Sequence, residues 1–321
     1  MNFMYYIGID LGGTNIAIGI VDEKYNIVKK GSTPTKANRH MDEIMDDMAA
    51  LCAKLANEAN IPMDQIVSAG IAAPGSANPD TGIIGYANNL PMLNYPICKK
   101  LQERFPVKNV YLENDANAAA LGEALAGANK SSKYFLMLTL GTGVGGGIVI
   151  DNKIYSGKNH AGAELGHIVI EKDGRPCSCG RKGCFEAYSS ATGLVNMTKE
   201  KMLERPDSLM WKECGGDINN VGGRTAFNAM KAGDKAAKEV TDMYISYLAC
   251  GVTNMINIFR PEVLAIGGGV CNEGATLMDP VIEIANRESY GGEGTVCTNI
   301  CRASLGNDAG IIGAAALGMD V

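Results

Sequence analysis

Apolar and polar positions follow two patterns along the chain. Short runs of β-branched and other apolar residues predict strands, whereas longer stretches with apolar residues three and four positions apart predict helices. Strands and helices follow one another repeatedly, which is typical of an α/β fold. The pattern predicts strands at 5–9, 16–21, 27–30, 67–72, 109–112, 134–140, 148–150 and 263–266, and helices at 41–58, 116–126, 234–259 and 308–317.

The two halves of the chain share one arrangement of elements. A strand, a glycine-rich turn and a second strand occur at 5–21, and the same unit recurs at 134–150. The repetition predicts an internal duplication, in which each half has a glycine turn that could accommodate a phosphate group. Near the start of the first helix, Asn38 is the candidate for the capping residue.

Composition narrows the class of protein. Apolar residues make up 46% of the chain and charged residues 20%, as in ordinary globular proteins, which excludes wholesale disorder. The net charge of −6 argues against a nucleic-acid binder, and no apolar run reaches the roughly 18–20 residues of a membrane span. The first residues lack the basic region of a signal peptide, so we expect a cytoplasmic protein whose 10 cysteines are mostly reduced thiols.

The first glycine turn, Asp10–Asn15, has the features of a phosphate site. Of the 40 glycines, Gly12 and Gly13 lie here, where backbone N–H groups can approach an anion without an intervening Cβ. Thr14 adds a hydroxyl group. Asp10, at the end of the first strand, is suited to hold Mg²⁺ through water, since this ion keeps much of its hydration. A plain β-hairpin with glycine for turn geometry is the alternative.

The second glycine turn is expected at 141–147. It contains a formal G-x-G-x-x-G at Gly141, Gly143 and Gly146, but a dinucleotide-binding motif must open a helix, and here a strand follows. No glycine-rich turn continues as Gly-Lys-Ser/Thr, so a P-loop is also excluded. We interpret this turn as a second hairpin for the far phosphates of a nucleotide. A third glycine cluster, 267–269, follows a strand and would lie near the adenosine.

Four residues have the spacing of a metal site. His167 is followed by Cys177, Cys179 and Cys184, with glycines that let a short loop fold around an ion. Three thiolates and one imidazole complete a tetrahedral Zn²⁺ site and leave no open position, so the zinc is predicted to be structural. The alternatives are ordinary buried thiols and a zinc-ribbon nucleic-acid module, which the acidic chain disfavours.

Nearby carboxylates are candidates for substrate contacts. Glu164 and Glu186 flank the metal cluster, and paired acceptors on a braced loop suit a polyhydroxyl ligand such as a sugar; solvated surface charges are the alternative. Asp115 lies where a strand runs into a helix, and ligand groups gather at the carboxyl ends of strands in open α/β sheets. It is a candidate to accept a proton from a hydroxyl that attacks a phosphoryl group, with capping of the helix as the alternative.

These motifs resemble those of the ROK family of bacterial sugar kinases and related repressors, and within it those of the ATP-dependent glucokinases. The resemblance covers essentially the whole chain, and the metal cluster preceded by Glu-x-Gly-His is highly specific to that family. It is carried by residues 10–15, 73–75, 113–117, 140–147, 164–167, 177–186 and 267–269.

The resemblance implies the actin-like ATPase (ribonuclease H-like) fold, with two lobes that close over the substrate. It places one lobe at 1–117 plus 306–321, and the other, with the zinc, at 118–305. It also implies phosphoryl transfer from MgATP to the 6-hydroxyl of glucose, with Asp115 as the general base. The implied sugar contacts are Gly75, Asn89, Asn114, Asp115, Glu164, His167 and Glu186, and the implied nucleotide contacts are Gly12, Gly13, Thr14, Thr142, Gly143 and Gly268.

Two other functions remain open from the sequence. One is a ROK kinase for another hexose, such as N-acetylmannosamine, N-acetylglucosamine, allose or fructose. The other is a sugar-responsive regulator without catalysis, which the intact Asp10, Asp115 and both glycine turns disfavour. The family also implies a homo-oligomer, either a dimer or a tetramer, whose partners are a small-molecule sugar and a nucleotide rather than nucleic acid or a membrane.

Overall fold

The computed structural model describes residues 4–87, 89–130, 132–292, 294–295 and 297–319. The strands are β1 Tyr5–Leu11, β2 Asn15–Asp22, β3 Ile27–Pro34, β4 Ile66–Ala73, β5 Ala77–Asn78, β6 Ile83–Tyr86, β7 Leu93–Tyr95, β8 Asn109–Asn114, β9 Tyr134–Leu140, β10 Val144–Ile150, β11 Lys153–Ile154, β12 Val263–Gly267 and β13 Asn299–Arg302. The α-helices are α1 Met41–Glu58, α2 Ile97–Gln102, α3 Asp115–Ala126, α4 Phe185–Ser189, α5 Ala191–Glu204, α6 Met210–Glu213, α7 Thr225–Lys231, α8 Lys235–Phe259, α9 Ala275–Glu288 and α10 Asp308–Ala316. Short 3₁₀ helices cover Met63–Gln65, Lys158–His160, Leu165–His167, Ile218–Asn220 and Gly269–Glu273.

The two larger sheets have the same strand order. The first runs β3-β2-β1-β4-β8 and the second β11-β10-β9-β12-β13. Counted along the chain within each sheet, both orders read 3-2-1-4-5. In the first sheet β1, β2 and β3 are antiparallel to their neighbours, whereas β1, β4 and β8 are parallel. The carboxyl ends of β1, β4 and β8 therefore lie at the same edge of the sheet. The repeated order agrees with the predicted internal duplication.

Helix α1 covers the first sheet with the apolar stripe that its sequence predicts. Met41, Ile44, Met48, Cys52 and Leu55 recur three and four positions apart, and all five are buried in one core with residues of β1, β2 and β4. Stripe and sheet together exclude water from one face of the strands that carry the candidate site.

The predicted cap of α1 is wrong by two residues. His40, not Asn38, is the cap: its Nδ1 accepts a hydrogen bond from the Asp42 amide at 3.2 Å. The physical reason is reach, because a capping side chain must directly precede the first helical residue to meet the amides two or three positions later.

The second glycine turn is shorter than predicted. Strand β10 begins at Val144, so the turn consists of 141–143, and Gly145–Gly147 belong to the strand. A Cβ at Gly146 would lie 2.7 Å from Leu165 Cδ1, and one at Gly147 would lie 2.4 Å from Ala120 Cβ. These glycines therefore allow close packing rather than a longer phosphate loop.

Glycines elsewhere let helix α10 lie directly on the first sheet. A Cβ on Gly8 in β1 would be 1.8 Å from the Ile311 carbonyl oxygen, and one on Gly70 in β4 would be 1.8 Å from that of Ala314. The high glycine content is therefore explained in part by helix–sheet contact, which the sequence pattern did not indicate.

The chain divides into two compact units. The first unit comprises Met1–Phe135, Gly147–Ala163 and Ala303–Val321, and the second comprises Leu136–Gly146 and Glu164–Arg302. The predicted lobes remain a prediction, since a grouping by compactness does not test a division by duplication. In the second unit α8 packs against α4, α5, α7 and α9.

Helix α8 is the longest helix of the second unit. It ends at Phe259, just before Pro261, as the sequence predicts. No helix in the described part of the chain is both long and apolar enough to cross a membrane.

Candidate active site

The first glycine turn joins β1 to β2 and presents backbone N–H groups to solvent. A hydrogen bond of 3.0 Å from the Gly12 amide to the Asn15 carbonyl oxygen closes it. Gly12 and Gly13 are half-buried, and Thr14 and Asn15 are exposed. Among the residues that the structure describes, the Gly13 and Thr14 amides donate to no other backbone group. They are therefore available to an anion.

Asp10 lies in β1 beside this turn and is half-buried. In the sheet it pairs with Ala17 of β2 and Ala72 of β4. A Cβ at Gly310, in the first turn of α10, would lie 2.8 Å from Asp10 Oδ2, so the glycine leaves room for the carboxylate. Burial, and after it the charge of Asp115, raise the pKa of Asp10 to about 6.

Replacing Asp10 by asparagine is expected to stabilise the protein at pH 8 in buffer without Mg²⁺ and nucleotide. Folding raises this pKa from 3.8 to about 6, so ionisation costs the folded state at most about 3 kcal/mol, at 1.36 kcal/mol per pH unit. The cost is full above pH 6, roughly halved at pH 5 and absent below both pKa values. Urea unfolding of wild type and D10N at pH 8 and pH 5 measures it. A variant less stable than wild type at pH 8 would contradict the expectation.

At the end of β8, two neighbouring residues take the two roles that the sequence offered to Asp115, which are capping of α3 and proton acceptance. Asn114 caps α3, since its Oδ1 accepts from the amides of Ala116 and Asn117 at 3.0 and 3.3 Å. Asp115 is the first helical residue, and its Oδ1 accepts from the Ala116 amide at 2.9 Å. It is exposed, yet the protein atoms around its carboxyl group raise its pKa by desolvation. The cap does not depend on Asp115, whose carboxylate is left for chemistry.

Glu113 stabilises the junction between β8 and α3. Its side chain is buried, and its Oε1 accepts from the Asn114 amide at 2.9 Å and from Asn117 Nδ2 at 3.0 Å. A buried carboxylate with two donors fixes both the capping residue and the first turn of α3. Glu113 therefore positions the residues on either side of the candidate base.

Two other predicted sugar contacts lie in the first unit. Gly75 follows β4 with a φ of 92°, and a Cβ there would lie 2.1 Å from the Tyr86 carbonyl oxygen. Its own carbonyl oxygen is 3.5 Å from Asn114 Nδ2. Asn89 is exposed, and its Cβ lies 3.2 Å from the position of a Cβ on Gly13. The first unit thus brings Gly75 to Asn114, and Asn89 to the first glycine turn.

The second unit gathers the four predicted metal ligands into one cluster. The ligand atoms of His167, Cys177, Cys179 and Cys184 all lie within 4.8 Å of one another. His167 Nδ1 is 3.6 Å from Cys177 Sγ, and Cys179 Sγ is 3.7 Å from Cys184 Sγ. The fold therefore brings together side chains that are up to 17 positions apart in the sequence.

Glu186 connects the metal cluster with the second glycine turn. Its Oε1 accepts from Ser178 Oγ at 2.9 Å, and its Oε2 accepts from the Val144 amide at 3.1 Å. A Cβ at Gly143 would lie 2.3 Å from Oε2, so the turn and the carboxylate are in direct contact. Glu186, a predicted sugar contact, thus also links the metal-ligand loop to the second glycine turn.

The remaining predicted residues of the second unit lie beside the same loops. The His167 amide donates to the Glu164 carbonyl oxygen at 3.0 Å, and the Glu164 residue is exposed. Gly268 has a φ of 99°, and a Cβ there would lie 2.2 Å from the carbonyl oxygen of Leu140, which precedes the second glycine turn. The third glycine cluster therefore adjoins the second.

Sequence reasoning missed several residues that hold these groups, among them Glu113, Ser178 and Thr35. The Thr35 hydroxyl donates to the Gly12 carbonyl oxygen at 2.6 Å, across 23 positions of sequence. Ser178 lies between two candidate ligands, and Glu113 directly precedes a cap. Their place in the chain is the signal that could have identified both, whereas nothing in the sequence marks Thr35.

Known proteins resemble this chain over nearly its full length. A sequence model described as the ROK family matches residues 6–321. The chain belongs to the ROK family. Among curated ROK-like relatives, the glucokinase of Thermotoga maritima is 35% identical over 313 residues, covering 97% of this chain and 96% of that protein. The glucokinase of Halalkalibacterium halodurans is 36% identical over 322 residues, covering 98% and 94%.

A solved ROK structure shows the same likeness in three dimensions. The ROK family glucokinase of Streptomyces griseus, in complex with glucose and AMPPNP, has a TM-score of 0.80 at 32% identity, with 98% of each chain covered. The expected actin-like α/β fold is confirmed, because the ROK glucokinases have that fold.

Proposed function

We propose that this ROK protein transfers a phosphoryl group from MgATP to the 6-hydroxyl of glucose, with Asp115 as the general base. The observation that carries the proposal is the Asp115 carboxylate: it is exposed, spared from capping by Asn114, and close enough to Asp10 to raise that residue's pKa. Membership of the family and the likeness to glucokinases support the pair of substrates.

The residues of the first unit can supply the base and part of the phosphate site. A raised pKa makes Asp115 a better proton acceptor than an ordinary aspartate, which suits removal of the proton from the attacking hydroxyl. Phosphoryl transfer otherwise needs positioning and charge stabilisation, for which the free amides of the first glycine turn are suited. Mg²⁺, when bound, neutralises phosphate charge, and Asp10 would hold it through water. The proposed sugar contacts are Gly75, Asn89, Asn114, Glu164, His167 and Glu186, and the proposed nucleotide contacts are Gly12, Gly13, Thr14, Thr142, Gly143 and Gly268.

Zinc is the metal that the cysteine and histidine cluster fits. A tetrahedral Zn²⁺ with Zn–S of about 2.3 Å and Zn–N of about 2.05 Å places two sulfurs about 3.8 Å apart, and sulfur and nitrogen about 3.6 Å apart. The corresponding separations here are 3.7 and 3.6 Å. Four protein ligands leave no open position, so zinc would cross-link the loop, and His167, Cys177, Cys179 and Cys184 would hold it.

A kinase for another hexose is the second candidate function. On the hairpin that carries Asn89, Tyr86 and Leu93 are cross-strand neighbours that are 56% and 73% exposed. An exposed pair on the same hairpin as a proposed sugar contact is a candidate for distinguishing hexoses with different substituents.

A panel of hexoses decides between these candidates. We expect glucose to give the highest kcat/KM with MgATP among glucose, fructose, allose, N-acetylglucosamine and N-acetylmannosamine, because it is the acceptor of the glucokinases that this chain resembles. A coupled ADP assay measures each value, and polyphosphate in place of ATP tests the donor. A higher value for another hexose would favour the second candidate, and sugar binding without phosphoryl transfer would favour a regulator.

Two broader predictions belong to the same proposal. A homo-oligomer, either a dimer or a tetramer, follows from the family resemblance, and the native mass in solution tests it. A cytoplasmic location agrees with the use of ATP as donor.

A further inference from the structure

The back of the first glycine turn is held by one threonine. Thr35 follows β3 and is completely buried. Its hydroxyl donates to the Gly12 carbonyl oxygen at 2.6 Å, and its amide donates to the Thr14 carbonyl oxygen at 2.8 Å. One residue thus engages two of the three carbonyl groups between β1 and β2.

Thr35 is itself held by Arg39, which links it to Asp47 of helix α1. The Arg39 guanidinium donates through Nε and one terminal nitrogen to the Thr35 carbonyl oxygen, at 3.3 and 3.2 Å. The same guanidinium forms an ion pair with Asp47 of α1. The position of the first glycine turn is therefore set by the core helix, through Arg39 and Thr35.

The second glycine turn is held in the same way. Thr192 Oγ1 donates to the Thr142 carbonyl oxygen at 2.7 Å, and the Ala191 amide donates to the Gly141 carbonyl oxygen at 2.8 Å. Both donors lie in the first turn of α5, where Ser190 caps the helix by accepting from the Gly193 amide at 3.0 Å. Each turn thus has two carbonyl groups tied to a threonine hydroxyl and a backbone amide.

These bonds decide which side of each turn an anion meets. In a planar trans peptide, the C=O of one residue and the N–H of the next point in opposite directions. The hydrogen bond to the Gly12 carbonyl group therefore directs the Gly13 N–H outwards. In the second turn, the bond to the Gly141 carbonyl group directs the Thr142 N–H outwards, and the bond to the Thr142 carbonyl group directs the Gly143 N–H outwards. In the described part of the chain these three amides donate to no backbone group. A set of outward N–H dipoles fixed beforehand stabilises phosphate without reorganisation.

We propose that Thr35 and Thr192 are positioning residues for the nucleotide phosphates, each acting through the glycine turn that it holds. The inference rests on the proposed function, because it takes the two turns as the phosphate sites. Without the threonine hydroxyls the peptide groups can rotate, and carbonyl oxygens, which repel anions, can face the ligand.

Valine variants at the two positions test the inference. Thr35→Val and Thr192→Val keep the side-chain shape and remove the hydroxyl. We expect each to raise the KM for MgATP and the Kd for AMPPNP by about 3–10-fold, the effect of losing one hydrogen bond. The Kd for glucose is expected to stay within about twofold, and Thr35→Ser and Thr192→Ser are expected to restore nucleotide affinity, since serine keeps the hydroxyl. Calorimetric titration with AMPPNP and glucose gives both constants without relying on turnover.

The chain offers two matched controls. Thr253→Val removes a buried hydroxyl that has no hydrogen-bond partner among the described residues, and Thr241→Val removes one that donates to a carbonyl within α8. Neither is expected to change AMPPNP affinity. Thr192 is exposed, so its variant remains informative even if Thr35→Val does not fold.

The outcomes separate this inference from the proposed function. Wild-type protein that phosphorylates a hexose while both valine variants bind AMPPNP normally would overturn the positioning role alone. An equal loss of glucose and AMPPNP affinity would also overturn it, because that pattern indicates general damage. Wild-type protein that binds no AMPPNP would overturn the proposed function, and the positioning role with it.

Discussion

Replacing Asp115 by asparagine is expected to lower kcat for glucose by about 10²–10⁴-fold, the contribution of a positioned general base. Asparagine keeps the shape of the side chain and an oxygen that can accept from the Ala116 amide, a bond now 2.9 Å long. Asn114 continues to cap α3, so the helix is expected to remain intact. The Kd for glucose should change only a few-fold, because the substitution removes proton transfer rather than the binding surface.

Two further variants make the Asp115 test specific. Asp115→Ala removes the side chain altogether and is expected to lose nearly all turnover while still binding glucose. Asp64→Asn removes an exposed aspartate of the same unit and should leave kcat unchanged. Steady-state kinetics together with calorimetric glucose titration measure both quantities. Turnover retained in Asp115→Ala would exclude Asp115 as the base.

Replacing Cys184 by serine is expected to abolish metal binding and to destabilise the second unit. Cys184 is fully buried and lies directly before helix α4, which packs against α8. The free energy of zinc binding to such sites is about 10–16 kcal/mol and contributes directly to folding. We expect about one zinc per wild-type chain, close to none in the variant, and a Tm lower by at least about 10 °C. Elemental analysis and calorimetry measure these values.

A second cysteine of the same unit provides the control. Cys250 lies in α8, outside the ligand cluster, and is partly exposed. Cys250→Ser is expected to keep the zinc and most of the stability. Wild-type protein that is fully stable without bound metal would contradict the proposal, as would a Cys184→Ser variant that retains zinc.

The predicted strands and helices followed from local patterns, whereas β5, β6, β7, β11, β13, α2, α4, α5, α6, α7 and α9 were not predicted. Helix α1 and strand β9 have the predicted bounds, and most other predicted elements differ by only a few residues at their ends. The misses have local physical causes. His40 rather than Asn38 caps α1, because a capping side chain must be close enough to the first helical amides, whatever its intrinsic capping preference. Strand β10 begins four residues before its predicted start, because Gly145–Gly147 pack closely in a strand. Glycine is ambiguous in a sequence, since a phosphate turn and a close contact both require it.

The chemistry of the candidate site followed from residue types, but the support for that chemistry did not. Three cysteines and a histidine at this spacing predicted a four-ligand cluster, and their ligand atoms do converge. The contacts of Glu186 with Ser178 and Val144 were not predictable, because its partners lie 8 and 42 positions away. A hydrogen bond between distant residues leaves no periodic pattern in the sequence.

The sequence by itself determined which chemical groups this protein can use: a carboxylate after a strand, two glycine turns, and a set of thiolates with one imidazole. These depend on residue type and short spacing, which are local properties. The tertiary structure decided how those groups are used. It assigned capping to Asn114 and left Asp115 outside the cap, and it placed Thr35 and Thr192 behind the two glycine turns. The physical reason is that hydrogen-bond partners and burial are set by the packing of distant segments.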